Sequence, residues 1–180
     1  MPSDIIIRVK CDAYLVRFAV SMFGNLPLNF PKNSHFLNLL DVFLDKPPMD
    51  FQEPDYGPET LWIQLPYFEN KNVVYNNYLS PLKQRVFVKE LRKYFKITFR
   101  SEVSQLIING IEKQDALELF IEKYNLSQDC WDFLQKDFYR YVNLRYKRRL
   151  FRNRKNTSVK DLVSPIIPSV SHDSHVSHSE

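Results

Sequence analysis

The sequence predicts an α+β fold in which a small mixed N-terminal module precedes a helical module. Three observations lead to this fold class. Residues 1–79 contain a β-branched run and a segment of alternating apolar residues, both typical of strands. Residues 80–155 carry apolar side chains at spacings of three to five, which is typical of helices. Residues 156–180 are rich in Ser, His and Pro, and we interpret them as a disordered tail.

The composition limits the class of protein. A chain of 180 residues with 44% hydrophobic residues forms one domain or two small ones with a real core. Only three glycines argue against glycine-rich phosphate loops and against a barrel with many tight turns. Two cysteines far apart in the sequence fit a reducing, cytoplasmic setting. No apolar run approaches the ~20 residues of a membrane span, and the N-terminus does not read as a signal peptide.

The first elements follow from local signals. The β-branched segment Asp4–Lys10 predicts a strand, and Ala13–Phe23 predicts a largely buried helix. Asp12 stands at the N-cap position of that helix, and Gly24 follows its end. The proline-containing stretch Leu26–Lys32 suits an edge strand or an extended connector.

The rest of the N-terminal module alternates helix and strand. Ser34 predicts the cap of a helix over His35–Asp45, and Met49–Glu59 is a proline-rich loop. Thr60–Phe68 has apolar residues at period two and predicts a half-buried strand. A polar turn leads from it to Val73–Tyr78, where a hairpin strand is plausible.

The second module is predicted to be helical. Ser80, followed by a proline, begins a helix that extends to about Asn109–Gly110. A second helix covers Lys113–Tyr124, and Ser127 caps a third that runs from Gln128 to about Arg149. One apolar stripe at helical spacing marks the inner face of the third helix: Trp131, Leu134, Phe138, Tyr141 and Val142.

The junction of the last two helices has the features of a helix-turn-helix. Asn125 is a residue that tolerates the positive φ of a tight turn. Leu126 follows to fill the core beneath the turn, and Ser127 begins the next helix. Ile121 is larger than the residue that usually packs under such a turn. A plain helical hairpin therefore remains an alternative.

A concentrated basic run continues from this hairpin. Residues 136–155 hold nine Lys or Arg and one acid, a net charge of +8 within a chain of net charge +4. The other 160 residues therefore carry a net charge of −4. Clustered cations gain free energy by displacing counterions from phosphates, so this run predicts nucleic-acid binding.

The hairpin and the run together resemble a known family. Tyr124–Ser127, Tyr139–Tyr141 and Arg145–Arg149 resemble the C-terminal helix-turn-helix of small phage and mobile-element regulators, of the type of the middle-operon activator of phage Mu. The resemblance covers residues 114–150. It implies a DNA-binding regulator, often dimeric, and implies nothing about the N-terminal module.

Nine residues are predicted to bind nucleic acid: Gln128, Gln135, Lys136, Arg140, Arg145, Lys147, Arg148, Arg149 and Arg152. The two glutamines would reach base edges, with adenine as their partner, and Lys136 would contact guanine or phosphate. The other cations would contact phosphates. The helix dipole stabilises carboxylates near a helix N-terminus, whereas phosphates would repel them. The dipole is therefore the better explanation of Asp129 and Asp132. Tyrosines are interleaved with the cations. Their rings would stack on unpaired bases, so binding to single-stranded DNA or RNA stays an alternative.

Signals for catalysis are weak. His35 is the only histidine outside the tail, and Glu53 with Asp55 lacks a third ligand nearby. Three tail histidines at a spacing of three would bind metal only adventitiously: His172, His175 and His178. Phosphate-loop, dinucleotide and metalloprotease motifs are absent from the sequence. We predict no enzyme, no cofactor, no metal and no small-molecule substrate, and we expect Cys11 and Cys130 to be buried thiols.

The sequence thus predicts a cytoplasmic DNA-binding protein, a regulator or accessory factor of a phage or mobile element, with double-stranded DNA as its partner and no membrane association. The N-terminal module would serve for dimerisation or partner contact. The prediction of a homodimer rests only on the symmetry that is common among helix-turn-helix proteins. Two alternatives stay open. One is a non-enzymatic protein–protein module with a solubilising basic helix, and the other is RNA binding.

Overall fold

The computed structural model describes residues 2–160 except 55, 56 and 58, with side chains described within residues 4–145. In chain order the elements are β1 (Pro2–Lys10), α1 (Ala13–Phe23), α2 (His35–Phe43), β2 (Thr60–Pro66), α3 (Pro81–Ile108), α4 (Lys113–Lys123) and α5 (Trp131–Lys160). A single 3₁₀ turn, Gln128–Cys130, precedes α5. Within the described residues, a small antiparallel sheet and five helices confirm the predicted α+β class.

The sheet has its inner face in the core. β1 and β2 pair antiparallel, with Ile7 opposite Ile63 and Val9 opposite Leu61, and all four side chains are buried. Alternate residues of a strand point to the same face, so the period-two pattern placed these residues correctly. Leu28 adds one parallel bridge to β2 by donating its N–H to the carbonyl of Trp62 at 2.7 Å. Of the two predicted alternatives, the stretch Leu26–Lys32 is therefore an extended connector with one bridge rather than an edge strand.

The predicted hairpin strand over Val73–Tyr78 is wrong. Residues 73–75 form a turn in which the Asn72 side-chain oxygen accepts the Val74 N–H at 3.0 Å. Short amide side chains compete with sheet hydrogen bonds in this way. Tyr78 pairs instead with Asp45, and their two backbone hydrogen bonds are 2.9 and 3.1 Å long.

Of the three helix caps predicted for α1, α2 and α3, two form and one does not. Ser34 accepts the Leu37 N–H at 3.2 Å, and Ser80 accepts the Lys83 N–H at 3.5 Å. Asp12 stands at the N-cap position of α1 but makes no capping hydrogen bond. Its carboxylate instead accepts a hydrogen bond from the Arg92 guanidinium at 2.7 Å, which ties the start of α1 to α3.

Helix α3 is the centre of the core. It runs without a break for 28 residues and buries one side chain per turn: Phe87, Leu91, Phe95, Phe99 and Val103. Phe95 meets Phe18 of α1 with ring centroids 5.0 Å apart. Phe99 meets Phe120 of α4 at 5.0 Å and Phe138 of α5 at 6.0 Å. Three helices therefore pack against one aromatic row.

The chain divides into two compact units, Met1–Phe138 and Tyr139–Glu180. The module boundary predicted at residues 79–80 lies within the first unit, where α1 and β1 contact α3, and the division into modules stays a prediction. α5 remains helical to Lys160, so the first five residues of the predicted tail, 156–160, are helical. Residues 161–180 lie outside the described residues. None of the described helices is both long and apolar enough to cross a bilayer.

Candidate nucleic-acid interface

The turn between α4 and α5 has the backbone that its sequence predicts. Asn125 adopts φ 48°, in the left-handed region, as expected. The Leu126 N–H donates to the Ile121 carbonyl at 2.9 Å, and both side chains are buried. Ile121 is therefore accommodated beneath the turn in spite of its size.

Side chains of two other helices hold this turn in place. From α1, the Ser21 hydroxyl donates to the Tyr124 carbonyl at 3.2 Å, and Arg17 donates to the Asn125 carbonyl at 3.3 Å. From α3, Glu102 accepts the Tyr124 hydroxyl at 2.7 Å. Burial, and after it the Glu102 carboxylate, raises the pKa of Tyr124. The turn is thus anchored to the body of the first unit.

The start of the last helix differs from the prediction. Ser127 precedes the 3₁₀ turn but makes no capping hydrogen bond, because its hydroxyl donates to the Asp129 carboxylate at 2.9 Å. Regular α-helix begins only at Trp131, so Gln128 lies on the 3₁₀ turn rather than on the α-helix. Gln128 is exposed, whereas Gln135 on α5 is partly buried.

The inner face of α5 contacts α3 and α1. Leu134 and Phe138 are buried as predicted. Phe133, which the predicted stripe omitted, has its ring centroid 5.1 Å from that of Tyr14 on α1. Val142 was assigned to the stripe but is 44% exposed. The predicted inward face is therefore correct at its centre and wrong at its distal end.

The one acid of the basic run, Asp137, faces α3. Its two carboxylate oxygens accept hydrogen bonds from Arg100 at 2.8 and 2.9 Å, and the Lys96 ammonium lies 3.5 Å away. Burial alone would raise the pKa of Asp137, but hydrogen bonds and charge from Arg100 and then Lys96 outweigh it, so the pKa is lowered. The carboxylate is thus used inside the first unit and does not neutralise the cations that follow it.

Those cations face solvent as far as side chains are described. Lys136 and Arg140 are exposed and make no ion pair within the described part of the chain. Arg145 is exposed and contacts Tyr141 on the same helix. Its guanidinium lies 5.5 Å from the Tyr141 ring centroid and donates to the Tyr141 hydroxyl at 2.9 Å. The remaining predicted cations have helical backbone, but their side chains lie outside the described residues: Lys147, Arg148, Arg149 and Arg152.

A second group of cations escaped the sequence analysis. Six basic residues follow the outer side of α3, and we call them the α3 ridge: Arg85, Lys89, Arg92, Lys93, Lys96 and Arg100. An open groove of about 260 Å³ on this helix is lined by five of them and Ile97. The available signal was spacing, because cations recur every four residues in two adjacent rows. The local charge was a second signal, because residues 85–100 hold six cations and one acid, a net charge of +5.

The residues considered for other chemistry stand apart from one another. His35 is exposed, and its Nε2 lies 3.6 Å from Glu90. Glu53 pairs with Arg8 at 3.6 Å. Among the described residues, no three His, Cys, Asp or Glu side chains are grouped so as to hold a metal ion. Asp55 and the tail histidines His172, His175 and His178 lie outside the described residues, and the absence of catalysis stays a prediction.

Both cysteines are buried and unpaired. Burial, and after it the Asp12 and Glu59 carboxylates, raises the pKa of Cys11 to about 12. Burial also raises the pKa of Cys130. A thiol with a raised pKa forms little of the reactive thiolate at neutral pH, so neither residue has the properties of a nucleophile.

No protein-family model matches this chain, and neither a curated protein nor a solved structure matches it. The resemblance to phage regulators therefore stays a prediction.

Proposed function

We propose that this protein binds double-stranded DNA and that the basic half of α5 contacts its phosphates. One observation carries the proposal. Asp137, the only acid among the ten charged residues of the run, is engaged by Arg100, while its neighbours Lys136 and Arg140 are exposed without a carboxylate partner in the described residues. Cations that lack an internal partner remain available to displace counterions from a polyanion.

The length and charge distribution of α5 favour a groove of duplex DNA. The run of 20 residues would extend about 30 Å as a helix of about 10–12 Å diameter. Helical spacing would place Lys136, Arg140 and Lys147 on one side of the helix, and Arg145, Arg149 and Arg152 on another. A helix in the DNA major groove, about 12 Å wide, has phosphates on both sides. The major groove of duplex RNA is too deep and narrow for such a helix, so this distribution supports DNA.

Phosphate contact is the stronger part of this proposal, and base reading is the weaker part. Gln135 is partly buried, and Gln128 lies beside the exposed carboxylates of Asp129 and Asp132. Those carboxylates would repel phosphates at the mouth of a groove. We retain both glutamines as candidate base contacts and assign the affinity to the cations. A role as a cytoplasmic regulator or accessory factor of a phage or mobile element rests on the resemblance and on the reduced cysteines.

A direct test measures binding to random-sequence duplex DNA at about 50 and 200 mM salt, where each phosphate contact contributes about −0.9 to the slope of log K against log salt. Changing Arg140, Lys147 and Arg148 together to Ala should weaken binding to all sequences and make that slope shallower. A matched control changes Lys10, Lys32 and Lys46 to Ala, which removes the same charge outside α5. Absence of binding by the wild type at the lower salt concentration would refute the proposal.

A protein partner is the second candidate function, and one observation favours it. Three apolar side chains on α5 are exposed among the cations, at 62%, 44% and 57%: Tyr139, Val142 and Leu144. Such side chains suit a second polypeptide better than a phosphate backbone. Absence of DNA binding by the wild type at the lower salt concentration would refute the first candidate and leave this function in its place.

A further inference from the structure

We infer that the α3 ridge is a second phosphate-binding surface, which contacts the backbone of duplex DNA. This inference rests on the proposed function, and it adds a surface that lies wholly in the first unit. The ridge comprises six cations over sixteen residues of one unbroken helix, and Ile97 is the one apolar side chain among the described residues that line its groove.

The spacing of the ridge makes it a continuous surface. Arg85, Lys89 and Lys93 recur every fourth residue and form one row along α3. A second row, Arg92, Lys96 and Arg100, has the same spacing and lies beside the first. Residues four apart are neighbours on a helix surface, and the rise of 1.5 Å per residue gives the ridge a length of about 22 Å. One DNA strand carries a phosphate every 3.4 Å along the axis, so this length matches about six phosphates.

The ridge keeps an excess of positive charge after its ion pairs are counted. Three carboxylates pair with it: Asp12 with Arg92, Glu90 with Lys93, and Asp137 with Lys96 and Arg100. Six cations against three acids leave a net charge of +3. Arg85 and Lys89 are exposed and make no ion pair within the described residues. The first row, which contains both residues, is therefore the part most available to a polyanion.

The ion pairs of the second row also hold that row in position. Arg92 is bound by Asp12 of the segment before α1, and Arg100 is bound through two hydrogen bonds by Asp137 of α5. Both arginines keep exposed surface, with 44% and 32% of their side chains accessible. Side chains that are already ordered lose less entropy on binding. The carboxylates thus reduce the charge of the ridge but orient its arginines.

The composition of the ridge favours DNA over a lipid bilayer. A helix that lies in a membrane surface buries a broad apolar face and keeps its cations on the opposite side. Of the exposed apolar residues in the N-terminal half of α3, Tyr94 lies on a different side of the helix from the ridge, whereas Leu82 and Val86, seven residues before Lys89 and Lys93, lie beside it. The six cations outnumber Ile97 and the two apolar residues at the border, and a surface dominated by cations suits the solvated phosphates of a nucleic acid.

The test compares two charge-matched variants of the full chain. Lys89→Gln with Lys93→Gln removes two exposed charges of the ridge, and Lys32→Gln with Lys46→Gln removes two exposed charges from the segments that flank α2. All four side chains are exposed, so we expect both variants to keep the wild-type melting temperature. The probe is random-sequence duplex DNA, titrated at several salt concentrations. The ridge variant should bind roughly fivefold to tenfold more weakly per lost contact near 0.1 M salt, with its salt slope shallower by about two.

The other outcomes separate this inference from the proposed function. If the ridge variant and its control bind alike while the α5 variant binds weakly, the ridge inference is wrong and the proposed function stands. If the wild type does not bind DNA at low salt, both are wrong. Anionic vesicles of phosphatidylserine and phosphatidylcholine provide the last comparison. Vesicle binding that requires Lys89 and Lys93, with DNA binding unchanged in the variant, would overturn the inference in favour of a membrane surface.

Discussion

Asp137 combines two roles at the scale of a single residue. Its carboxylate binds Arg100 through two hydrogen bonds and so fixes the first turns of α5 on α3. Because of this contact, the only acid of the basic run binds α3 and does not neutralise the neighbouring cations. Sequence inspection identified this residue only as one negative charge among nine positive ones, because its partner lies 37 residues away.

We predict that Asp137→Asn destabilises the protein by about 1–2 kcal/mol at pH 7, because hydrogen bonds to charged groups contribute about that much. The pKa of Asp137 is lowered in the folded protein, so its contribution is complete above the unfolded pKa of about 4 and is lost as the pH falls through the folded value. Urea unfolding of both proteins at pH 7 and pH 3 measures this. A stability difference that stays constant down to the lower pH would contradict the predicted role.

Helix α3 is the decisive element because the other helices of the first unit pack on it. Its i, i+4 row of phenylalanines joins α1, α4 and the start of α5. The sequence predicted the helix and most of its apolar positions from their spacing alone. Which helices meet Phe95 and which meet Phe99 could not be predicted, since periodicity defines a face and not its partner.

We predict that Phe99→Ala lowers the free energy of unfolding by about 3–5 kcal/mol, because it removes a buried ring and leaves a cavity between α3, α4 and α5. Ile97→Ala is the matched control. Ile97 lies on the same helix but is 58% exposed, so its loss should change stability by less than about 0.5 kcal/mol. Urea denaturation followed by far-UV circular dichroism measures both variants. Equal effects of the two substitutions would show that the aromatic row is not the core.

At the scale of the whole molecule, the two buried thiols report on how the first unit unfolds. Cys11 follows β1, and Cys130 immediately precedes α5, so the thiols lie at opposite ends of the first unit's sequence. Both sites lie within Met1–Phe138, although the sequence placed them in separate modules. Their burial and raised pKa values make each thiol unreactive until its surroundings open.

We predict that both thiols become reactive at the same urea concentration, because residues of one compact unit unfold together. The measurement is the rate of reaction with a chromogenic disulfide at pH 8 as urea is raised. Cys11→Ala and Cys130→Ala variants each leave one thiol and so assign the signal. Two well-separated midpoints would instead support independent modules that meet at residues 79–80.

Local chemistry explains the part of the fold that the sequence predicted correctly. The bounds of α1 and α3 follow from apolar periodicity and stop signals, and Asn125 has the positive φ that its short amide side chain tolerates. The wrong hairpin strand at Val73–Tyr78 also has a local cause. Its asparagines bond to nearby backbone, which competes with pairing to β2.

The candidate interface was only partly accessible from the sequence. The basic run was visible because nine of its twenty residues are cations and only one is an acid. The α3 ridge was not, because its cations become a surface only when a helix aligns them, and their charge excess depends on which acids approach.

The sequence by itself determined the α+β class, the helical segments, the left-handed turn at Asn125 and the cationic run that ends α5. These depend on interactions between residues close together in the chain. Only the tertiary structure decided that Asp12 binds Arg92, 80 residues away, and that Asp137 binds Arg100. Such pairs form when packing brings distant segments together. They determine which cations are neutralised and which remain available to a phosphate backbone.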